Sequence, residues 1–225
     1  MKRTFAFLIL AGFLLPSCNS AIHTVPLEPI TVQYTTAAAP WLAGLYDCAG
    51  ANVVTAEQRA ADFLDPQSVN LAIRIGQPAN LTSPAYQIGS EDILVILNPQ
   101  NPINALTADQ VRGLFTGQVL NWQEVNGSNA PVQVWVFSSG EDVWQIFEQT
   151  ALGGSPATST ARLAAGLDEM AQAVASDINA VGILTRHWKA GNVSAVYTVA
   201  SVPVLALTPA EPQEAVLELL ACLQK

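Results

Sequence analysis

Two short runs, Val69 to Ile75 and Ile93 to Leu97, are apolar and rich in β-branched residues at nearly every position rather than at every second one. Runs of that kind belong to strands covered on both faces, and such strands require helices packed above and below them. The chain supplies helical segments in alternation. Pro40 to Asp47 carries Trp41, Leu42 and Leu45 on one side, and Thr107-x-x-Gln110 is a capping box whose helix ends at Gly117, a residue suited to the left-handed C′ position. Thr55 with Gln58 predicts a second capping box and a helix through Leu64. Further helices are predicted over Glu141 to Ala151, Leu167 to Ala175 and Pro212 to Leu223. Strands are predicted at Thr31 to Tyr34, Val132 to Phe137, Ala180 to Leu184, Ala195 to Val199 and Val202 to Leu207. The fold class that follows is α/β with covered sheets.

The sharpest break in composition is Asn98-Pro99-Gln100-Asn101-Pro102, two Asn-Pro pairs directly after a buried strand. The restriction on residues before proline keeps this backbone extended, which suits a crossing between lobes or an ordinary surface loop. Half of the residues are apolar and 12% are charged, ample for a substantial core.

At the N-terminus Lys2 and Arg3 precede an apolar run from Phe5 to Leu15 that ends in Leu15-Pro16-Ser17-Cys18. A basic start, an apolar segment too short to span a bilayer and a small residue before Cys read as a signal peptide. This segment resembles a bacterial lipobox, which implies cleavage after residue 17, lipidation of Cys18 and an extracytoplasmic protein anchored to the cell membrane only through that lipid. An ordinary cleaved signal with an incidental Cys is the other reading. Removing residues 1–17 leaves seven basic against eighteen acidic side chains, so the mature chain is strongly anionic and nucleic acid is excluded as a partner. Residues 19–30 read as a tether.

Cys48 and Cys222 remain, an even pair that outside the cytoplasm suggests a disulfide, two buried thiols being the alternative. His23 lies in the tether and His187 stands alone, so no metal site is expected. No Gly-x-Ser-x-Gly elbow, Ser/His/Asp spacing or phosphate-binding Gly-x-x-x-x-Gly-Lys occurs; no catalytic residue and no cofactor are expected.

The run NPQNPINALTADQVRGLFTGQVLNW (98–122) resembles the signature of phosphate-type periplasmic solute-binding proteins. The similarity continues through VWVFSSGED (134–142), Phe147-Glu148 and DINAVGIL (177–184), with YTTAAAPWL (34–42) standing where that family has a Thr/Ser-rich turn. The resemblance implies a two-lobed periplasmic binding protein fold of type II character, each lobe a mixed sheet flanked by helices, with hinge strands between. It places lobe one at 31–97 plus 185–225 and lobe two at 98–184. It further implies a monomer, a small solute in the interlobe cleft and an ABC permease as the receiving partner. Cys48 and Cys222 would then lie in the same lobe, where a bridge is reasonable.

The resemblance assigns ligand contacts to Thr35, Thr36, Arg74, Gln77, Ser138, Ser139, Gly140 and Glu141. Phosphate binders of this family carry an Arg, three intervening residues and then Ser-Gly-Thr, often followed by a second Arg. Here Trp135, Glu141 and Asp142 stand at those positions, so the bidentate guanidinium grip is missing and phosphate affinity is expected to be weaker by about 2–3 kcal/mol. What remains is a helix N-terminus with unpaired N–H groups, which Glu141 or Asp142 can themselves satisfy. Arg74 is either a relocated anion clamp or a surface residue with a packed stem. Trp135 lines the cleft or packs in the core. The function expected is capture of a small oxyanion or acidic solute for an ABC-type importer. The alternative is a degenerate domain of the same fold that acts as an interaction or sensory module without a transported ligand.

Overall fold

The computed structural model describes residues 28–50, 52–188 and 192–225. The signal segment, Cys18 and His23 lie outside the described residues.

The first strand, β1 (Ile30–Thr35), runs into a 3-10 turn (Thr36–Trp41) and then helix α1 (Leu42–Ala49). Thr107 closes both halves of its capping box at the start of α2 (Ala108–Thr116), and Gly117 ends that helix at φ 75°. The other pattern of the same kind fails. Val53–Gln58 is not the start of a helix but strand β2, paired in parallel with β1 from Ile30↔Val53 to Thr35↔Gln58. The reason is tertiary: Val53 and Val54 favour extended backbone, and an open sheet edge next to β1 offers a full row of hydrogen bonds. A 3-10 turn (Ala61–Phe63) is all the helix that follows.

Strand β3 (Leu71–Ile75) is buried at all five positions, as its composition predicts. The apolar run at 93–97 is the second half of a 13-residue strand, β4 (Ala85–Leu97), whose first half is too polar to announce itself. After α2, strand β5 (Gln133–Val136) leads to α3 (Asp142–Thr150), β6 (Arg162–Leu163), α4 (Leu167–Ser176) and β7 (Ala180–Thr185). The two strands predicted near the C-terminus are one, β8 (Ser194–Leu207), followed by α5 (Glu214–Leu223). Ala200 and Ser201 interrupt the apolar pattern but keep their ladder partners Ile93 and Asp92, with a register shift at Ile93/Leu94.

The strand order is β2-β1-β3-β8-β4-β7-β5-β6. The two halves share their hinge strands: β3 pairs with the last four residues of β8, β7 pairs with the last five of β4, and β4 and β8 pair along their whole length. The ladder is therefore continuous across the hinge rather than divided into two unconnected sheets. At mid-hinge the fully buried Glu91 accepts hydrogen bonds from Trp41 Nε1 (3.2 Å) and the backbone N–H of His187 (3.2 Å), and the His187 ring lies 3.0 Å away through Nδ1. Trp41 lies over Gly89, where an added Cβ would meet the indole at 2.2 Å.

Cys48 near the end of α1 and Cys222 near the end of α5 form a disulfide, with Cα atoms 5.8 Å apart and a sequence separation of 174. In the chain-entropy model a loop of that length contributes up to about 5 kcal/mol. It also pins the final helix, which would otherwise fray.

Candidate functional site

The site forms where the C-terminal ends of β1 and β3 meet the start of α3, the place where open α/β sheets receive ligands. Thr35 at the end of β1, the backbone of Ile75 at the end of β3 and Asp142 at the start of α3 supply its polar groups. Thr35 closes β1 and is 1% exposed; its Oγ1 donates to Asp142 Oδ2 at 2.6 Å. Ile75 closes β3 and gives its backbone N–H to the same oxygen at 2.9 Å. Asp142 opens α3, is fully buried, and its Oδ1 accepts from the Val143 N–H at 2.9 Å. Three donors from three elements thus converge on one carboxylate. Burial pushes this carboxyl above its usual range, while Thr35, the Ile75 and Val143 N–H groups and the nearby Arg74 charge pull it back.

Glu141 is also buried, at 6% exposure, and its pKa is raised to about 7, first by burial and then by the Asp142 and Glu57 charges; Arg59 opposes the shift. Glu57 on β2 accepts from Thr36 Oγ1 at 2.8 Å, so the Thr36 hydroxyl is spent on the neighbouring strand. The loop before α3 is seated on the segment after β2 through a hydrogen bond from the Ala61 N–H to the Gly140 carbonyl (2.7 Å). A Cβ on Gly140 would stand 2.7 Å from the Ala60 Cβ, so this close approach needs glycine. Ser138 and Ser139 face solvent in the turn, and it is the Ser138 and Ser139 carbonyls, not the hydroxyls, that make the turn's hydrogen bonds.

Beside this carboxylate-filled corner lies a groove of about 890 Å³ between the 61–83 segment and the face of α3. Arg74, Gln77, Asn80, Asp62, Gln145 and Gln149 line it. Arg74 is 7% exposed; its Nε donates to the Gly76 carbonyl at 3.1 Å, and among the described residues no carboxylate comes within ion-pair distance of it. Burial lowers the Arg74 pKa from its usual value, against the attraction of Asp142 and then Asp62. Gln77 is exposed at the rim.

The predicted ligand residues therefore divide. Thr35, Gly140 and Glu141 gather around Asp142, Arg74 and Gln77 line the adjoining groove, Thr36 is tied to Glu57, and Ser138 and Ser139 lie outside both. Trp135 is half-buried, packed against the core with the Arg162 guanidinium 5.7 Å from its ring. Trp144 is buried against Phe147, ring centroids 5.5 Å apart. What sequence reasoning missed was the inward turn of Asp142, together with Asn80, Gln145 and Gln149 in the groove. The available signal was a pair of adjacent acids opening a helix in a chain with only 12% charged residues.

Residues 84–219 match a family model described as a PBP superfamily domain. A structure described as a phosphate ABC transporter substrate-binding protein with bound phosphate, from Clostridium perfringens, is 17% identical at TM-score 0.76, covering 86% of this chain and 92% of its own. An ABC-type phosphate transport receptor from Vibrio cholerae is 20% identical at TM-score 0.68, with 88% and 94% covered. The OxyR2 regulatory domain from Vibrio vulnificus is 10% identical at TM-score 0.62, with 87% and 96% covered. These likenesses establish the two-lobed fold; solute capture and regulation both occur on it, so function rests on the site. Among the described residues no helix is long and apolar enough to cross a membrane.

Proposed function

The chain belongs to the PBP superfamily, and on that premise we propose that it is an extracytoplasmic solute-binding lipoprotein. In this reading Cys18 carries the lipid, and a monomer composed of lobes 31–97 plus 185–225 and 98–184 delivers a small acidic solute to an ABC permease. The observation that carries this reading is Arg74: a buried guanidinium with one hydrogen bond, to a backbone carbonyl, on the wall of an open groove. A buried cation without a carboxylate partner is costly, and an anionic ligand removes that cost.

The groove also limits the solute. Its volume falls in the range of about 300–1,000 Å³ that accommodates organic ligands, far beyond a bare tetrahedral anion. Side-chain amides of Gln77, Asn80, Gln145 and Gln149 donate and accept in equal measure, which suits hydroxyl or amide groups on the ligand. The solute class that fits best is a small organic acid with its carboxylate or phosphoryl group on Arg74. The phosphate-binding proteins that share the fold lend support to an oxyanion.

The test is native mass spectrometry of protein purified from its own export route without refolding, followed by calorimetry with inorganic phosphate and a panel of organic acids. A retained acidic solute, and phosphate binding weaker than micromolar, are expected. Sub-micromolar phosphate affinity would reject the assignment of an organic acid over phosphate. Full retention of solute by an Arg74→Ala variant would remove Arg74 from the site.

A further inference from the structure

We propose that Asp142 is a built-in occupant of the oxyanion cradle at the deep end of the cleft, a specificity-determining residue that excludes inorganic phosphate and leaves the Arg74 groove as the way in for solute. The claim rests on the cleft reading above, but its test uses an ion that reading does not require.

The cradle has the parts of an oxyanion receptor. A buried hydroxyl (Thr35), a backbone N–H at a strand end (Ile75) and a backbone N–H in the first turn of a nine-residue helix (Val143) all point at one pair of oxygens, at 2.6, 2.9 and 2.9 Å. Donor sets of this kind receive carboxylates and phosphates alike, because both present oxygens with outward lone pairs. Here the oxygens belong to the chain itself. Each of the two accepts, as the oxygens of a captured anion would.

A helix can satisfy its first turn with an acid that stays at the surface, and such an acid is a cap and nothing more. Asp142 does something different. It is fully buried, and two of its three donors come from elements distant in sequence, 107 residues away for Thr35 and 67 for Ile75. Capping explains the Val143 contact but not the other two. The Asp142 carboxylate therefore links the ends of β1 and β3 to the start of α3, as a captured anion would.

Two further features keep a second anion out. Glu57 and Glu141 line the approach to the cradle with further carboxyl groups, and Glu57 and Asp142 lie near enough to Glu141 to raise its pKa. The Gly140 carbonyl is bonded to the Ala61 N–H and its Cα is packed against Ala60, so the loop bearing Asp142 cannot draw back without breaking that seat.

The experiment replaces Asp142 with alanine and follows thermal melting and calorimetric binding in the full mature chain, with sodium formate and inorganic phosphate as the two probes. The disulfide and a cooperative melting transition establish that the variant is folded. Formate supplies the missing oxygens, so it is expected to raise the melting temperature of Asp142→Ala saturably while leaving the wild type unmoved. Phosphate is expected to bind Asp142→Ala at least about tenfold more tightly than the wild type. A folded Asp142→Ala that responds to both ions no more than the wild type overturns the proposal. Should the alanine variant fail to fold, Asp142→Asn retains the shape and removes the charge. It is then expected to lower the melting temperature and to bind phosphate more tightly than the wild type, and an Asn variant indistinguishable from the wild type in both readings overturns the proposal equally. A wild type that retains no solute would reject the transport reading while leaving this result untouched.

Discussion

The two ends of the cleft share one strand terminus and treat charge in opposite ways. Ile75 gives its backbone N–H to a buried carboxylate at the deep end, while the side chain one residue earlier, Arg74, belongs to the adjoining groove. At the deep end the donors are consumed within the chain: Thr35, Ile75 and Val143 on Asp142, and Thr36 on Glu57. In the groove the cation donates to a backbone carbonyl, and the lining carries the amides of Gln77, Asn80, Gln145 and Gln149 beside the carboxyl groups of Asp62 and Asp65. Anion-receiving geometry and anion-receiving charge are thus divided between neighbouring residues of one strand end. The lesson is that a preserved backbone cradle does not report the ligand, since one acid placed at its centre reassigns it.

The largest expected effect comes from removing the groove's cation. Arg74→Ala should weaken binding of the acidic solute by about 2–3 kcal/mol, the loss of one charged, hydrogen-bonding partner in a partly desolvated site. Titration calorimetry against the solute recovered from the native protein measures it directly. A loss confined to severalfold would place the anionic group elsewhere and dissolve the distinction between the two ends.

The deep end is tested next through its stability. Thr35→Val keeps the shape of the side chain and removes the donor to Asp142, leaving a buried carboxylate short of one partner; about 1–3 kcal/mol of folding stability should be lost. Chemical denaturation midpoints would show it, and Thr35→Ser should recover most of the difference. Solute affinity in the groove should change far less than stability, and equal losses in both would mean that the two ends act as one site.

How these features stood in the sequence depends on what held each one together. Local chemistry was legible. Thr107 with Gln110 and Gly117 read as a capped helix because every needed group lies within one turn at either end. The pattern at Thr55 and Gln58 was the same on paper and became a strand because β1 offered it a parallel partner, which nothing within four residues could reveal. The motif at 98–122 foretold the fold for a similar reason. Asn98 donates to the Val174 and Ala175 carbonyls, Asn101 to Ile178, and the Trp122 indole to Asn179, so these side chains spend their donors on the scaffold. Sequence that builds the scaffold was therefore readable, whereas Asp142 acquires its meaning only from Thr35 and Ile75, far away along the chain. The direction in which an acid at a helix start will point, outward to water or inward to a strand end, is decided by those distant partners.

The acidic end should also register pH where the groove does not. Glu141 titrates near 4.5 when unfolded and at about 7 in the fold, so between those values the folded chain holds a proton that the unfolded chain releases. Folding then takes up protons, and stability falls as pH rises from 4.5 through 7, with no further loss from this group above that window. Asp142, also shifted upward, acts with the same sign. Melting temperature measured across this range should decline for the wild type, and Glu141→Gln should flatten part of the slope. A wild-type profile that instead rises through the window would mean that Glu141 is held ionised by a cationic partner, and that burial does not govern its titration.

The smallest effect, and the one that separates backbone from side chain in the loop, concerns Ser138 and Ser139. Both are exposed, and their carbonyls rather than their hydroxyls carry the turn: Ser138 accepts from the Glu141 N–H and Ser139 from the Gln145 side chain. What seats the loop is Gly140, through its carbonyl on Ala61 and its close approach to Ala60. The double variant Ser138→Ala, Ser139→Ala should therefore stay within about 0.5 kcal/mol of the wild type in stability, as surface changes away from such features do. Solute affinity should move by less than about twofold, a few tenths of a kcal/mol. Calorimetry and denaturation on the same preparation read both quantities. A tenfold loss of solute with stability intact would return the hydroxyls to the ligand and place solute at the mouth of the cradle, ahead of Asp142, rather than in the groove beside Arg74.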